Sequence, residues 1–252
     1  MRHFLHLAYA GQPFHGWQVQ PGQTSVQGCL EEAFATLLRQ PTPVTGAGRT
    51  DAGVNARSMI AHLDLPDHMD ASGCRQLLRS ANAIVGRDIA LYSLTPVAAD
   101  AHARFDASER EYRYFVHTRK NPFCRQFSWQ APPALDFEAM NAAAEMLLGR
   151  RDFCSFAKTH SDVKTTVCDL RLARWVRDNE HCWHFEIAAD RFLRNMVRAV
   201  VGTLVDVGRG RMAPETVLDI LERHDRCAAG TSMPAEALFL WRVDYPYYHA
   251  EP

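Results

Sequence analysis

The apolar periodicity of this chain switches between two and 3.6 residues in a fixed order, and that order limits the fold to a small set. Phe4 to Tyr9 alternates as a strand, and Ala10-Gly11-Gln12-Pro13 marks a turn. Thr24 as N-cap and Gln27 at the third position fit a capping box. They open a helix whose Val26, Leu30, Phe34 and Leu37 share one face, and Pro41 and Pro43 end it. Met59, Ala61 and Leu63 then alternate with Ile60, His62 and Asp64 as a strand. A helix over 71–83 and a strand from Ile89 to Leu94 close this half.

A polar connection over 100–108 leads to the second half. A strand begins near Arg110, with Tyr112, Tyr114 and Val116 on one face, and Asn121-Pro122 breaks it. A helix is predicted from Phe137 to Leu148, with Asp136 as N-cap and Gly149 as its stop. Val167 to Val176 and His181 to Ala188 read as a hairpin turning at Asp178-Asn179. A helix over Phe192 to Val207 is stopped by Gly208, a short one follows Pro214, and Leu238 to Val243 is the last strand. The expectation is an α/β (α+β) fold of two ferredoxin-like or RRM-like halves, 1–105 and 106–252. Their strands would join in one extended, mostly antiparallel sheet, with helices on one side and a central active-site cleft. No sequence repeat links the halves, so the symmetry rests on element order alone.

Hydrophobic residues at 47% and charged residues at 23% place the chain among globular proteins. No apolar run approaches the ~20 residues that span a bilayer, and the N-terminus lacks a signal-peptide pattern. A cytoplasmic protein with no membrane partner is expected. The seven cysteines form no Cys-x-x-Cys pair. Cys29, Cys74 and Cys168 read as small buried hydrophobes. His181 and His184 have metal-like spacing, but on a strand residues three apart face opposite ways, so no metal site is expected. Net charge is −1, yet of 28 basic residues only Lys120, Lys158 and Lys164 are lysines. Arginine suits forked phosphate contacts and base stacking; a GC-rich genome produces the same bias.

Gly46-Ala47-Gly48-Arg49-Thr50-Asp51-Ala52-Gly53-Val54 stands apart. Its glycines imply a sharp bend or a close approach. On extended backbone Arg49 and Asp51 point to the same side. The guanidinium then pairs with the carboxylate, or holds a phosphate beside it. A positioned, ionised carboxylate acts as nucleophile or general base; by spacing alone, a turn closed by a surface ion pair is the simpler reading. The glycine spacing fits neither a Rossmann fingerprint nor a Walker loop.

Gly48-Arg49-Thr50-Asp51-Ala52-Gly53-Val54 resembles the signature loop of the tRNA pseudouridine synthase A (TruA) family. Phe14-His15-Gly16-Trp17-Gln18, with Gln20, Thr24 and Val26-Gln27, is similar to that family's N-terminal segment. His102-Ala103-Arg104-Phe105 with Arg110-Glu111-Tyr112-Arg113-Tyr114 resembles its second motif. Phe153-Cys154-Ser155-Phe156 and Phe192-Leu193-Arg194-Asn195-Met196-Val197-Arg198 resemble the third and fourth. The matches keep family order from about residue 4 to 246. Two departures stand out: Asn55 where a histidine is common, and Ala237 where Gly usually precedes Leu238.

The resemblance implies isomerisation of uridine to pseudouridine at positions 38, 39 and 40 of the tRNA anticodon stem-loop, with no cofactor, by a homodimer. It implies Asp51 as the catalytic nucleophile, Arg49 and Arg198 beside it, and Tyr112 and Leu238 against the target base. His102, Arg104, Phe105, Arg110, Lys158 and Arg194 fall in segments expected to touch RNA. A target base must leave its stack at a cost of a few kcal/mol, and stacking on an aromatic returns ~1–3 kcal/mol. Arg191, Arg194 and Arg198 are expected to line one helix face as a phosphate-facing ridge. Arg104, Arg110 and Arg113, interleaved with Phe105, Tyr112 and Tyr114, form a second basic and aromatic cluster. Two rivals remain. A non-catalytic RRM-like RNA binder has no use for Arg49-Thr50-Asp51, and a glycosidic hydrolase needs a second acid that the loop does not offer.

Overall fold

A computed structural model of the chain describes residues 1–67, 69–132, 134–158 and 164–250. They form two compact units, Met1–Ser108 with Leu240–Pro252, and Glu109–Phe239. The expected boundary after residue 105 falls just short of the observed one. The chain after Leu240, assigned by sequence to the second half, returns to the first unit.

The first unit holds β1 (Arg2–Tyr9), α1 (Val26–Leu38), β2 (Thr45–Gly46), β3 (Asn55–Asp64), α2 (Ala71–Ile84) and β4 (Ile89–Pro96). β1 runs antiparallel to both β3 and β4, and the short β2 pairs antiparallel with β3. The order β4–β1–β3–β2 is that of a ferredoxin-like half, as the element sequence implied. α1 starts one residue later than the capping box suggested. Ser25, not Thr24, is the N-cap, and its hydroxyl accepts from Gly28 N–H at 3.2 Å. Gln27 is engaged elsewhere, accepting from Val19 N–H and donating to Glu31. α2 is capped by Asp70, which accepts from Gly73 N–H at 2.7 Å.

The second unit holds β5 (Glu109–His117), β6 (Trp129–Gln130), α3 (Phe137–Met146), β7 (Gly149–Asp152), β8 (Val167–Arg177), β9 (Cys182–Ala189), α4 (Met196–Gly208) and α5 (Thr216–Arg223). Its strands run β5–β9–β8–β7, each pair antiparallel, with β6 parallel on β5. Asp136 caps α3, accepting from Ala139 N–H at 2.9 Å. α4 is buried nearly all round and is the core helix of this unit. Its start corrects the sequence reading. The helix begins at Met196, not Phe192, because Asn195 takes a left-handed conformation (φ 66°) that a continuous helix does not contain. Residues 192–195 are therefore not a helical turn.

The return of the C-terminus has a packing cause. β10 (Leu238–Asp244) lies next to β3 from Leu240 onward. Beyond it, Tyr245 and Tyr248 close on fully buried Phe4, each at 5.1 Å between ring centroids. The Tyr245 hydroxyl donates to the Ala103 carbonyl at 2.6 Å, so the same tyrosine ties down the polar connection. Ala103 is also held from β3. Its N–H donates to His62 Nδ1 at 3.1 Å, which requires that nitrogen to carry a lone pair.

His62 is buried, and burial is the main force lowering its pKa from 6.5 to about 4; the Arg2 and His102 charges add to it. Protons then bind the unfolded chain more readily than the folded one between these values, so stability rises with pH across the window. The contribution is complete above pH 6.5 and is lost as pH falls toward 4. The urea midpoint should drop across that range, and His62→Gln, which keeps an acceptor without the titration, should flatten the slope.

Candidate active site and nucleic-acid interface

The glycine-rich stretch is an excursion between β2 and β3, pinned at both ends. Thr45 and Gly46 pair with His62 and Ala61, and Ala47 N–H donates to the Ile60 carbonyl at 2.7 Å. At the far end Val54 N–H closes a turn on the Asp51 carbonyl at 3.1 Å. The segment leaving β1 then clamps the excursion. Trp17 N–H donates to the Thr50 carbonyl at 3.1 Å, and Gly53 N–H to the Phe14 carbonyl at 3.4 Å. The Tyr9 and Thr50 hydroxyls meet at 2.8 Å in buried surroundings. Gly11 N–H donates to Asn55 Oδ1 at 2.8 Å, also buried. Buried peptide groups are costly unless paired, so these bonds fix the backbone on both sides of half-buried Asp51.

The glycines divide into distinct roles. A Cβ on Gly46 would fall 2.6 Å from the Trp17 ring, whereas one on Gly48 would meet nothing. The tightest approaches come from the clamping segment. A Cβ on Gly11 would lie 2.1 Å from the Val54 carbonyl oxygen, and one on Gly16 (φ +92°) would lie 2.5 Å from that of Thr50. Reading the loop by itself missed these two glycines. Asn55 keeps a buried hydrogen-bonding role in place of the commoner histidine. Arg49 is exposed, and among the described residues it forms no ion pair with Asp51.

Half-buried His102 and exposed Arg104 and Phe105 form one group in the same unit. His102 Nδ1 accepts from the N–H groups of Arg104 and Phe105, curling the chain around the imidazole. The ring lies 4.2 Å from the Phe105 ring and 4.6 Å from that of His62. The Arg104 guanidinium sits 5.7 Å from the Phe105 centroid, and Phe105 is 74% exposed. A solvent-facing aromatic with a cation at its side suits an unstacked base.

The other expected residues lie in the second unit. Tyr112 is half-buried on β5 and meets Phe192 edge-on at 5.1 Å, which joins the second and fourth motifs. Tyr114, on the same strand face, is fully buried, and among the described residues its hydroxyl has no hydrogen-bond partner. Burial drives its pKa far up, Glu236 adds to that, and Arg198 opposes it. Arg110 donates to the Asp190 carbonyl at 2.8 Å. Arg113, grouped with it by sequence, is held by Glu111 and Glu186, both at 2.9 Å. The arginine ridge is not formed as expected, since Arg191 and Arg194 precede α4 and only Arg198 lies on it. Arg198 donates through Nε to the Met233 carbonyl, and Met233 N–H returns a bond to the Arg198 carbonyl at 3.1 Å. Exposed Lys158 and Arg194 do come together, through Lys158 N–H to the Arg194 carbonyl at 3.0 Å. Leu238 is buried at the start of β10. Ala237 before it closes a 3₁₀ turn and is not among the positive-φ residues, so that position makes no demand for glycine.

Cys74 and Cys168 are buried as expected, and Cys29 is half-buried. Burial pushes the Cys168 thiol up to about 12. His181 lies just before β9 rather than within it. His184 is buried between Asp178 and Glu186, at 2.9 Å and 3.1 Å.

Residues 143–246 match a family model described as tRNA pseudouridine synthase, which sets the chain in the class of isomerases that make pseudouridine. Full-length relatives narrow this. The tRNA pseudouridine synthase A of Porphyromonas gingivalis is 50% identical over 246 residues, covering 97% of each chain. That of Parabacteroides distasonis is 49% identical over 245 residues, covering 97% of this chain and 96% of its own. That of Bacillus subtilis is 38% identical over 243 residues, covering 95% and 97%. The chain belongs to the tRNA pseudouridine synthase A family.

The clamp around Asp51 carries a consequence for activity. Gly16→Ala strains a left-handed residue and drives its Cβ into the Thr50 carbonyl, displacing the backbone next to the carboxylate. Displacements near 1 Å cost about 10²-fold in rate. Single-turnover pseudouridine formation by Gly16→Ala should fall by about that factor, while Gly48→Ala, which meets no atom, should stay within a few-fold of wild type.

Proposed function

We propose that the chain isomerises uridine to pseudouridine at positions 38, 39 and 40 of the tRNA anticodon stem-loop, with Asp51 as the nucleophile. Family membership supports the reaction class. The observation that carries the residue assignment is the doubly pinned loop, which presents a half-buried carboxylate on an immobilised backbone. In the reaction the bond from C1′ to N1 breaks and a bond from C1′ to C5 forms. The C5 proton is released and N1 takes one up, so nothing is oxidised and no cofactor is called for. In this reading Asp51 meets the sugar or base, Arg49 and Arg198 contribute charge to the reaction, and Tyr112 and Leu238 bind the target base. A hydroxyl-bearing aromatic face is a suitable platform for an extruded uracil.

His102, Arg104, Phe105, Arg110, Lys158 and Arg194 contact the RNA in this reading. The exposed Phe105 with Arg104 beside it, and the paired exposed Lys158 and Arg194, support it best. The protein acts in the cytoplasm as a homodimer. No helix among the described residues is long and apolar enough to cross a membrane.

Unmodified tRNA tritiated at uridine C5 tests the assignment. Wild type should release tritium with no added nucleotide, and Asp51→Asn should release none while still binding tRNA. Turnover by Asp51→Asn removes the aspartate from the chemistry; binding without release by wild type makes the protein an RNA-binding module. Arg104→Ala should lower the slope of log affinity against log salt by about 1, as the loss of one phosphate contact does.

A further inference from the structure

Three side chains with different ligand chemistry converge at the C-terminal end of α5. Asp152 ends β7, Cys154 opens the 3₁₀ turn Cys154–Phe156, and His224 caps α5. Cys154 Sγ lies 3.2 Å from His224 Nδ1, and that nitrogen lies 3.7 Å from Asp152 Oδ2. One ligand atom from each of the three lies within 4.8 Å of the others. Cys154 and His224 are separated by 70 positions, so no spacing motif announces the group.

The frame around it is built. Asp152 Oδ1 accepts from Cys154 N–H at 2.9 Å, which orients the carboxylate over the turn. The Ser155 hydroxyl donates to the Ile220 carbonyl at 2.6 Å, buried, and fastens the turn to α5. His224 holds a left-handed conformation (φ 51°), which turns its side chain off the helix. An imidazole nitrogen carries either one hydrogen or one lone pair. His224 Nδ1 therefore serves the sulfur or the carboxylate, but not both, while a cation among the three accepts a lone pair from each. Zinc takes sulfur at about 2.3 Å and nitrogen or oxygen at about 2.0–2.2 Å, so its tetrahedral ligands stand roughly 3.3–3.6 Å apart. The two measured separations bracket that range.

We propose that Asp152, Cys154 and His224 form a zinc site, with a fourth position open to water. A set with thiolate and imidazole selects zinc over magnesium or calcium. Binding exchanges the thiol proton of Cys154 for the cation, and the proton passes to solvent. The ion clasps the Cys154–Phe156 turn to α5 just before the residue that bonds Arg194, Lys158. Its role is to stiffen this corner, and the isomerisation does not route through it.

Cobalt is the spectroscopic probe. Chelator-dialysed full-length protein should bind one Co²⁺ per chain and show a thiolate-to-cobalt charge-transfer band. Zinc should displace the cobalt and raise the thermal midpoint. Cys154→Ser should abolish the band, and His224→Asn, which tolerates the left-handed backbone, should weaken zinc binding at least tenfold. Cys227→Ser removes an exposed neighbouring thiol and should leave the band intact. Circular dichroism of each variant separates lost ligation from lost fold. No stoichiometric cobalt uptake, a band that survives Cys154→Ser, or one that vanishes with Cys227→Ser overturns the site.

Discussion

The backbone seam between Gly11–Trp17 and Thr50–Asn55 is the constraint on which the site depends. Two main-chain hydrogen bonds, a hydroxyl pair and the Asn55 carboxamide hold two otherwise irregular segments face to face. The approach is possible because Gly11 and Gly16 present no Cβ to the opposing carbonyls. An irregular loop with satisfied, partly buried peptide groups is as fixed as a strand. Asp51 is thereby held by the sheet at one end of its loop and by the clamp at the other.

Charge is managed by commitment rather than by count. With a net charge of −1 the chain has no overall attraction for a polyanion. Many arginines are engaged in the structure itself: Arg2 with Asp64, Arg113 with Glu111 and Glu186, Arg171 with Glu109 and Asp169, and Arg174 with Glu186. Arg49, Arg104 and Arg194 stand exposed. The arginine bias therefore has a structural share, held in ion pairs even where the side chain reaches the surface, as Arg171 and Arg174 do.

Local signals carried most of the fold. The strands and helices appear close to where apolar periodicity put them, and Asp136 caps α3 as expected, but the helix ends at Met146 with Leu147 as its C-cap, and Gly149 opens β7 instead of stopping the helix. The errors are equally physical. Thr24 and Ser25 are both good caps, and which of them turns the chain depends on the contacts of the preceding loop. Phe192 to Asn195 carries a helical apolar pattern, yet Asn195 adopts a left-handed conformation, and the Arg194 carbonyl accepts from Lys158. A pattern of side chains does not register that competition.

The sequence by itself determined the alternating strands and helices, the unusual loop and, through its motifs in order, the family to which the chain belongs. Those properties reside in neighbouring residues, where period, caps and glycines act over a few positions. Only the tertiary structure decided which glycines face a backbone, which arginines are already paired, and that the C-terminal tyrosines close over Phe4. It also decided that Asp152, Cys154 and His224 meet. Each of these joins positions far apart along the chain, and a contact of that kind exists only once the intervening segments have folded and closed the distance.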